Sequence, residues 1–230
     1  MKNLICLLGV ALWAGAALAQ EPSAPIFEPV SGMFYPNVSD LNELLERSDF
    51  PKISVPVMMT GSWTRVRTAE WLPLGLSLAE GSVGTERGSR RVQLTLFYFS
   101  VFLDRRWPLS QAAPFLRGFV SGGVGVGTAT LLLGQRAVTE ENFESVLQAT
   151  HDTLLRRIFF SAIPRIGIEF VLTDVITLRA SLGYIWSPWS GAWEHFSERI
   201  SGPPKDFSGV FVEFTVSYTL KTSAGSHDGF

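Results

Sequence analysis

A chain of 230 residues with 46% hydrophobic and 17% charged side chains is too apolar for a disordered tail. It has the length of one large all-β domain or two small ones, and one domain is expected. With 19 Lys and Arg against 21 Asp and Glu the formal net charge is −2, so no broad basic surface is available and nucleic acid is excluded as the expected partner.

The first residues, MKNLICLLGVALWAGAALAQ, carry Lys2, an apolar run from Leu4 to Leu18, and small residues at Ala17 and Ala19. That order predicts a secretory leader over 1–19, cleaved after Ala19, and the run is shorter than the ~20 residues of a bilayer-spanning helix. The one cysteine, Cys6, lies inside the leader, so the exported chain is expected to hold no disulfide and no cysteine metal site. No later stretch is apolar enough for a helical span. Export without a helical anchor leaves a periplasmic protein, a secreted protein or an outer-membrane barrel.

Residues 20–51 read as an N-terminal segment, with an irregular strand within Ala24 to Pro36 and a short helix in DLNELLER capped by Ser39 or Asp40. From 52 to 221 the period is two, the signature of strands with chemically different faces. Ile53, Val55, Val57 and Met59 oppose Ser54, Thr60, Ser62 and Thr64, and Leu72, Leu74, Leu76 and Leu78 oppose Gly75, Ser77 and Ala79. GSVGTERGSR then reads as a polar loop. Val92, Leu94, Leu96 and Tyr98 oppose Arg91, Gln93 and Thr95, and DRRWPLSQAAP breaks the alternation.

Leu116, Val120, Val124 and Val126 oppose Arg117, Ser121, Gly123, Gly125 and Gly127. TEENFESVLQATHDTLLRR, from Thr139, has Phe143, Val146, Leu147 and Leu154 at helical spacing and predicts a helix. Ile158, Phe160, Ile166, Ile168 and Phe170 oppose Ser161, Arg165, Gly167 and Glu169. After the two-residue loop Thr173–Asp174, which makes antiparallel neighbours of its flanks, Ile176, Leu178, Leu182, Tyr184 and Trp186 oppose Thr177, Arg179, Ser181 and Gly183. The last strand sets Val210, Val212, Phe214, Val216 and Tyr218 against Phe211, Glu213, Thr215 and Ser217. Residues 222–230 form a tail.

A soluble sandwich would carry Lys, Glu and Asp on its outward face. Here the polar faces hold Gly, Ser and Thr with an isolated Arg or Glu, which predicts the inverted arrangement: aliphatic face to lipid, small polar face lining a narrow lumen. Glycines at alternate positions make room for neighbours in that lumen. Arg117, Arg165, Glu169, Arg179 and Glu213 are expected to form a charge network inside it. Trp71, Tyr98, Tyr184, Trp186 and Tyr218, at the ends of apolar faces, are expected at the lipid headgroup level. A leader that delivers the N-terminus to the periplasm, and a last strand ending there, require an even strand number. The alternation gives seven, so the segment before Pro36 makes eight, or the Leu72 segment is loop and the barrel has six.

PFLRGFVSGGVGVG, PRIGIEFVLTDVITLRASLGYIW and VFVEFTVSYTL give the chain a pattern that resembles the small outer-membrane β-barrels of the OmpA/OmpW type. The resemblance implies an integral, closed antiparallel eight-stranded transmembrane barrel in the cell outer membrane, with short periplasmic turns and long outer loops at Gly134–Arg157 and Ser187–Phe207. It implies a structural or loop-mediated role and a filled or narrow lumen. The partners it implies are outer-membrane lipid, lipopolysaccharide and, during biogenesis, the barrel insertion machinery, which would read Tyr218 or Phe230. A monomer without cofactor or metal is expected.

Two alternatives stand beside this. EHFSERISG places His195 and Ser197 two apart, with Glu213 downstream, and is similar to the His-x-Ser of outer-membrane lipid A deacylases, which would make the chain a hydrolase. A soluble periplasmic lipid-binding barrel is the other.

Overall fold

The computed structural model describes residues 26–69, 72–136, 150–173, 175–204 and 206–218. The strands are β1 (Ile26–Pro36), β2 (Val57–Ala69), β3 (Leu72–Arg87), β4 (Arg90–Pro108), β5 (Leu116–Arg136), β6 (Thr150–Val171), β7 (Ile176–Ser190), β8 (Trp193–His195), β9 (Glu198–Ile200) and β10 (Gly209–Tyr218), with one helix, α1 (Ser39–Arg47), between β1 and β2. Strand order is β5-β4-β3-β2-β1-β10-β7-β6, and the pairing of β5 with β6 closes it. The eight long strands therefore form a closed antiparallel barrel, with no free edge along the wall. The hairpin β8–β9 continues the sheet above β6, where Arg156 stands opposite Glu194.

The segment before Pro36 is the eighth strand. It bridges the barrel's seam, with Ser31 opposite Phe214 of β10 on one side and Thr60 of β2 on the other. The Leu72 segment is strand as well, so six is excluded.

Among the described residues, one end of the barrel carries the links β2–β3, β4–β5 and β6–β7. At the last of these the Thr173 hydroxyl accepts from the amides of Val175 and Ile176. The other end carries α1, the tight β3–β4 turn at Gly88, where φ is +61°, and the β8–β9 region. Leu41 and Leu45, one helical turn apart on α1, are buried over the mouth of the barrel. Asn42 ties α1 to the returning chain: its amide donates to the Ile53 carbonyl at 3.0 Å and its carbonyl accepts from the Ile53 amide at 2.7 Å.

On β5, β6, β7 and β10 the faces are those predicted. Val124 (67% exposed), Phe160 (59%) and Phe214 (55%) point outward, while Ser121, Arg165, Arg179 and Thr215 are buried inside. Gly127 faces inward beneath the ring of Phe159, where a Cβ would collide with it. That is the close approach for which an alternate glycine leaves room.

On β2 and β4 the predicted faces are reversed. Val57, Met59, Val92, Leu94, Leu96 and Tyr98 are buried inside the barrel, and Thr60 and Gln93 stand exposed outside. The half of the lumen next to α1 is an ordinary apolar core, so there the oily face turns in.

Four further expectations are corrected. GSVGTERGSR is not a loop: β3 continues through it to Arg87 and turns at Gly88. DRRWP does not end β4, which runs to Pro108. His151 to Arg157 is strand within β6 rather than helix, and the rest of that predicted helix, 139–149, lies outside the described residues. The predicted loop Ser187–Phe207 contains the end of β7 and the β8–β9 hairpin.

Candidate functional site

Inward positions near the turn-bearing end converge on one ionic cluster. Asp104 and Arg106 come from β4, Arg165 and Glu169 from β6, Arg179 from β7 and Glu213 from β10. Arg179 reaches Asp104 through Nη2 at 2.9 Å and Glu169 through Nε at 3.4 Å. Arg106 reaches the same two carboxylates at 3.0 and 3.3 Å. Arg165 pairs with Glu213 at 3.3 Å and donates to the Ser121 hydroxyl at 3.2 Å. Two guanidiniums also stack: Arg179 lies 3.8 Å from the Trp63 ring and 3.9 Å from Phe119, and Arg165 lies 4.1 Å from Phe102. Charges removed from water are tolerable only where pairing and ring contact replace hydration, and the two most deeply buried arginines, Arg165 and Arg179, have both.

The cluster thus brings together Arg165, Glu169, Arg179 and Glu213 of the sequence-predicted set. Arg117 is outside it: although opposite Glu169 in register, it is exposed at the rim. Asp104 and Arg106 were missed because DRRWP reads as an interruption. Their signal was there, since Phe102, Asp104 and Arg106 continue the parity of Tyr98.

Between the ionic cluster and the apolar core lies a cavity of about 60 Å³, lined by Tyr98, Ser100, Phe102, Arg165, Phe211 and Glu213 among others. It has room for a few water molecules. A lipid-binding barrel would need several hundred Å³ of enclosed space, which this cavity does not provide.

Of the predicted headgroup-level aromatics, Tyr184, Trp186 and Tyr218 are exposed on the outer wall at 43, 49 and 49%. Tyr98 is not among them; it lies inside, 5% exposed, edge-on to Phe34 and Phe159. Trp71 and Phe230 lie outside the described residues.

The deacylase-like set is not brought together. His195 ends β8, with Nδ1 3.1 Å from the Leu154 carbonyl oxygen, and Ser197 sits in the β8–β9 turn with φ at 80° rather than in an extended segment. Glu213 is held by Arg165, which stands eleven residues from Leu154 along β6, about 36 Å of strand. It therefore cannot orient His195. His227 and the side chain of His151 lie outside the described residues, and among those described no group of three His, Cys, Asp or Glu is placed to hold a metal.

No protein-family model matches the sequence, and no curated protein matches it. Among solved structures, the chain is similar to Ail, the attachment invasion locus protein of Yersinia pestis, at 12% identity and a TM-score of 0.45, over 84% of this chain and 95% of that one. Neisserial surface protein A gives 8% identity and a TM-score of 0.47 over 85% and 96%. A major outer membrane protein of Thermus thermophilus gives 12% identity and a TM-score of 0.42 over 85% and 99%.

Proposed function

We propose that the chain is an integral outer-membrane barrel with a sealed lumen, acting through its wall and the surface around α1 and β8–β9 rather than as a channel or a hydrolase. The observation that carries this is the inverted chemistry of its wall. Ile166, Ile168, Leu182 and Phe214 are each more than half exposed, while Arg165, Glu169 and Arg179, inward on β6 and β7, are 5% exposed or less. Leaving that many large apolar side chains in water forfeits about 1.5–3 kcal/mol for each, whereas hydrocarbon removes the penalty.

The interior supports the sealed lumen: ion pairs close one half, packed rings and aliphatics the other, and the cavity between them holds only water-sized volume. In this reading the turn-bearing rim faces the periplasm, and α1 with β8–β9 faces outward. The test is fractionation combined with electrophoresis. The protein is expected in the outer-membrane fraction, with faster migration in unheated samples and no steady current in planar bilayers. Recovery as a folded, detergent-free periplasmic species contradicts the reading.

A further inference from the structure

The apolar belt of the wall is not equally tall all round the barrel. On β6 every outward residue from Ile158 to Phe170 is apolar, about 40 Å of strand. On β3 the outward apolar run stops at Leu78, and Glu80, Ser82 and Glu86, all exposed, continue that face toward the Gly88 turn. The Ser82 hydroxyl accepts from Gln93 and Thr95 of β4 at 2.9 and 3.2 Å, a polar network on the outside of the wall. On β2 the outward face is Met58, Thr60, Ser62 and Thr64.

The strand register puts these positions on one height scale. A circuit of paired residues that leaves β4 at Tyr98 through Ala79 returns to β4 at Pro108, ten residues nearer the turn-bearing end. From β10 through β1, β2 and β3 a row of paired residues therefore climbs toward the α1 end by a little over one residue per strand. The row that starts at Phe214 passes Ser31 and Thr60 and reaches Glu80 roughly 10 Å above Phe214. Continued through Phe97 and Thr128, it reaches Ile158 roughly 20 Å above. The apolar wall thus ends about 10 Å lower beside β2 and β3 than beside β6.

A second copy packed on the low side about a two-fold axis would bring Glu80 and Glu86 of both chains to one contact. Arg91, opposite Glu86 in register, is already paired with Asp152 at 2.8 Å and does not balance them. Headgroups and water carry no such penalty, and a short apolar stretch draws the bilayer surface down to itself. We propose that the bilayer is locally thinned against β2 and β3: the leaflet on the α1 side dips there, so that headgroups and water meet Thr60 and Glu80, while acyl chains still cover Phe160 and Ile158 on β6. This rests on the membrane-barrel reading above.

The test places single cysteines at Ile158, Phe160, Thr60 or Glu80 of the exported chain, labels each with an environment-sensitive fluorophore and folds the protein into phosphatidylcholine vesicles. Quenching is read with a nitroxide on the acyl chain just below the headgroup and with iodide on both sides of the membrane. The chain nitroxide is expected to quench positions 158 and 160 about threefold more than 60 and 80, and iodide to give the reverse order. In the variant Ser62→Leu/Glu80→Leu the boundary is expected to rise, so that the chain nitroxide reaches a label at position 60. Folding of each variant is checked by its unheated gel mobility. Equal quenching of all four positions by either quencher overturns the proposal, as does protection of 60 and 80 from both, which marks a protein contact. A label replacing Phe214 that no chain nitroxide quenches fails the barrel reading instead.

Discussion

The two halves of the barrel interior are filled by opposite chemistries. Around Phe159 the packing is that of a soluble core: Phe34, Tyr98 and Phe207 meet at ring distances of 5.2–5.6 Å, α1 covers the mouth, and volume alone holds the contacts. Around Arg179 the same space is closed by guanidiniums shared between carboxylates and rings. This lumen therefore has two failure modes. The ionic half fails when charge is left incomplete, the apolar half when volume is lost.

Arg179→Leu is the most damaging single change, because it removes one of the two guanidiniums serving Asp104 and Glu169. A loss of about 3–5 kcal/mol is expected, read as a lower urea midpoint of the vesicle-folded protein. Phe159→Ala leaves a cavity beneath Phe207 and is expected to cost about 3 kcal/mol in the same assay, with no dependence on salt. The smallest effect is a double change. Arg165→Met with Glu213→Leu removes both partners of one pair and is expected to stay within about 1 kcal/mol of the wild type, whereas either change alone costs several times more. If Arg179→Leu proved as mild as the double change, the ionic half would be held by packing, and the contrast between the halves would dissolve.

This division also explains what was legible in the sequence. Alternation revealed the strands, and on β5, β6, β7 and β10 it revealed the faces, because Gly, Ser, Arg and Glu mark the inside there unambiguously. Period two says only that two faces differ, not which of them is enclosed. Beside α1 the inside is apolar and the outside polar, so Val92, Leu94 and Leu96 against Gln93 and Thr95 carry the signature of the lipid-facing region with the sides exchanged. The polar part of β3 has the pattern of a loop for the same reason, since its outward Glu80, Ser82 and Glu86 lie beyond Leu78, the last large apolar side chain on that face. Asp104 and Arg106 were legible by parity but masked by the run of charge around them. Nothing in the sequence could separate His195 from Glu213 by the length of a strand, because that distance exists only once β10 is paired with β7.

The exported chain is expected to carry no cysteine, so single cysteines can be introduced along β10, labelled with an environment-sensitive fluorophore and challenged with a nitroxide fixed in lipid chains. The inverted wall predicts strong quenching at positions 212, 214 and 216, replacing Val212, Phe214 and Val216, and little at 213 and 215, replacing Glu213 and Thr215. Quenching of the odd positions alone, or of none while a water-soluble quencher reaches position 214, would contradict it.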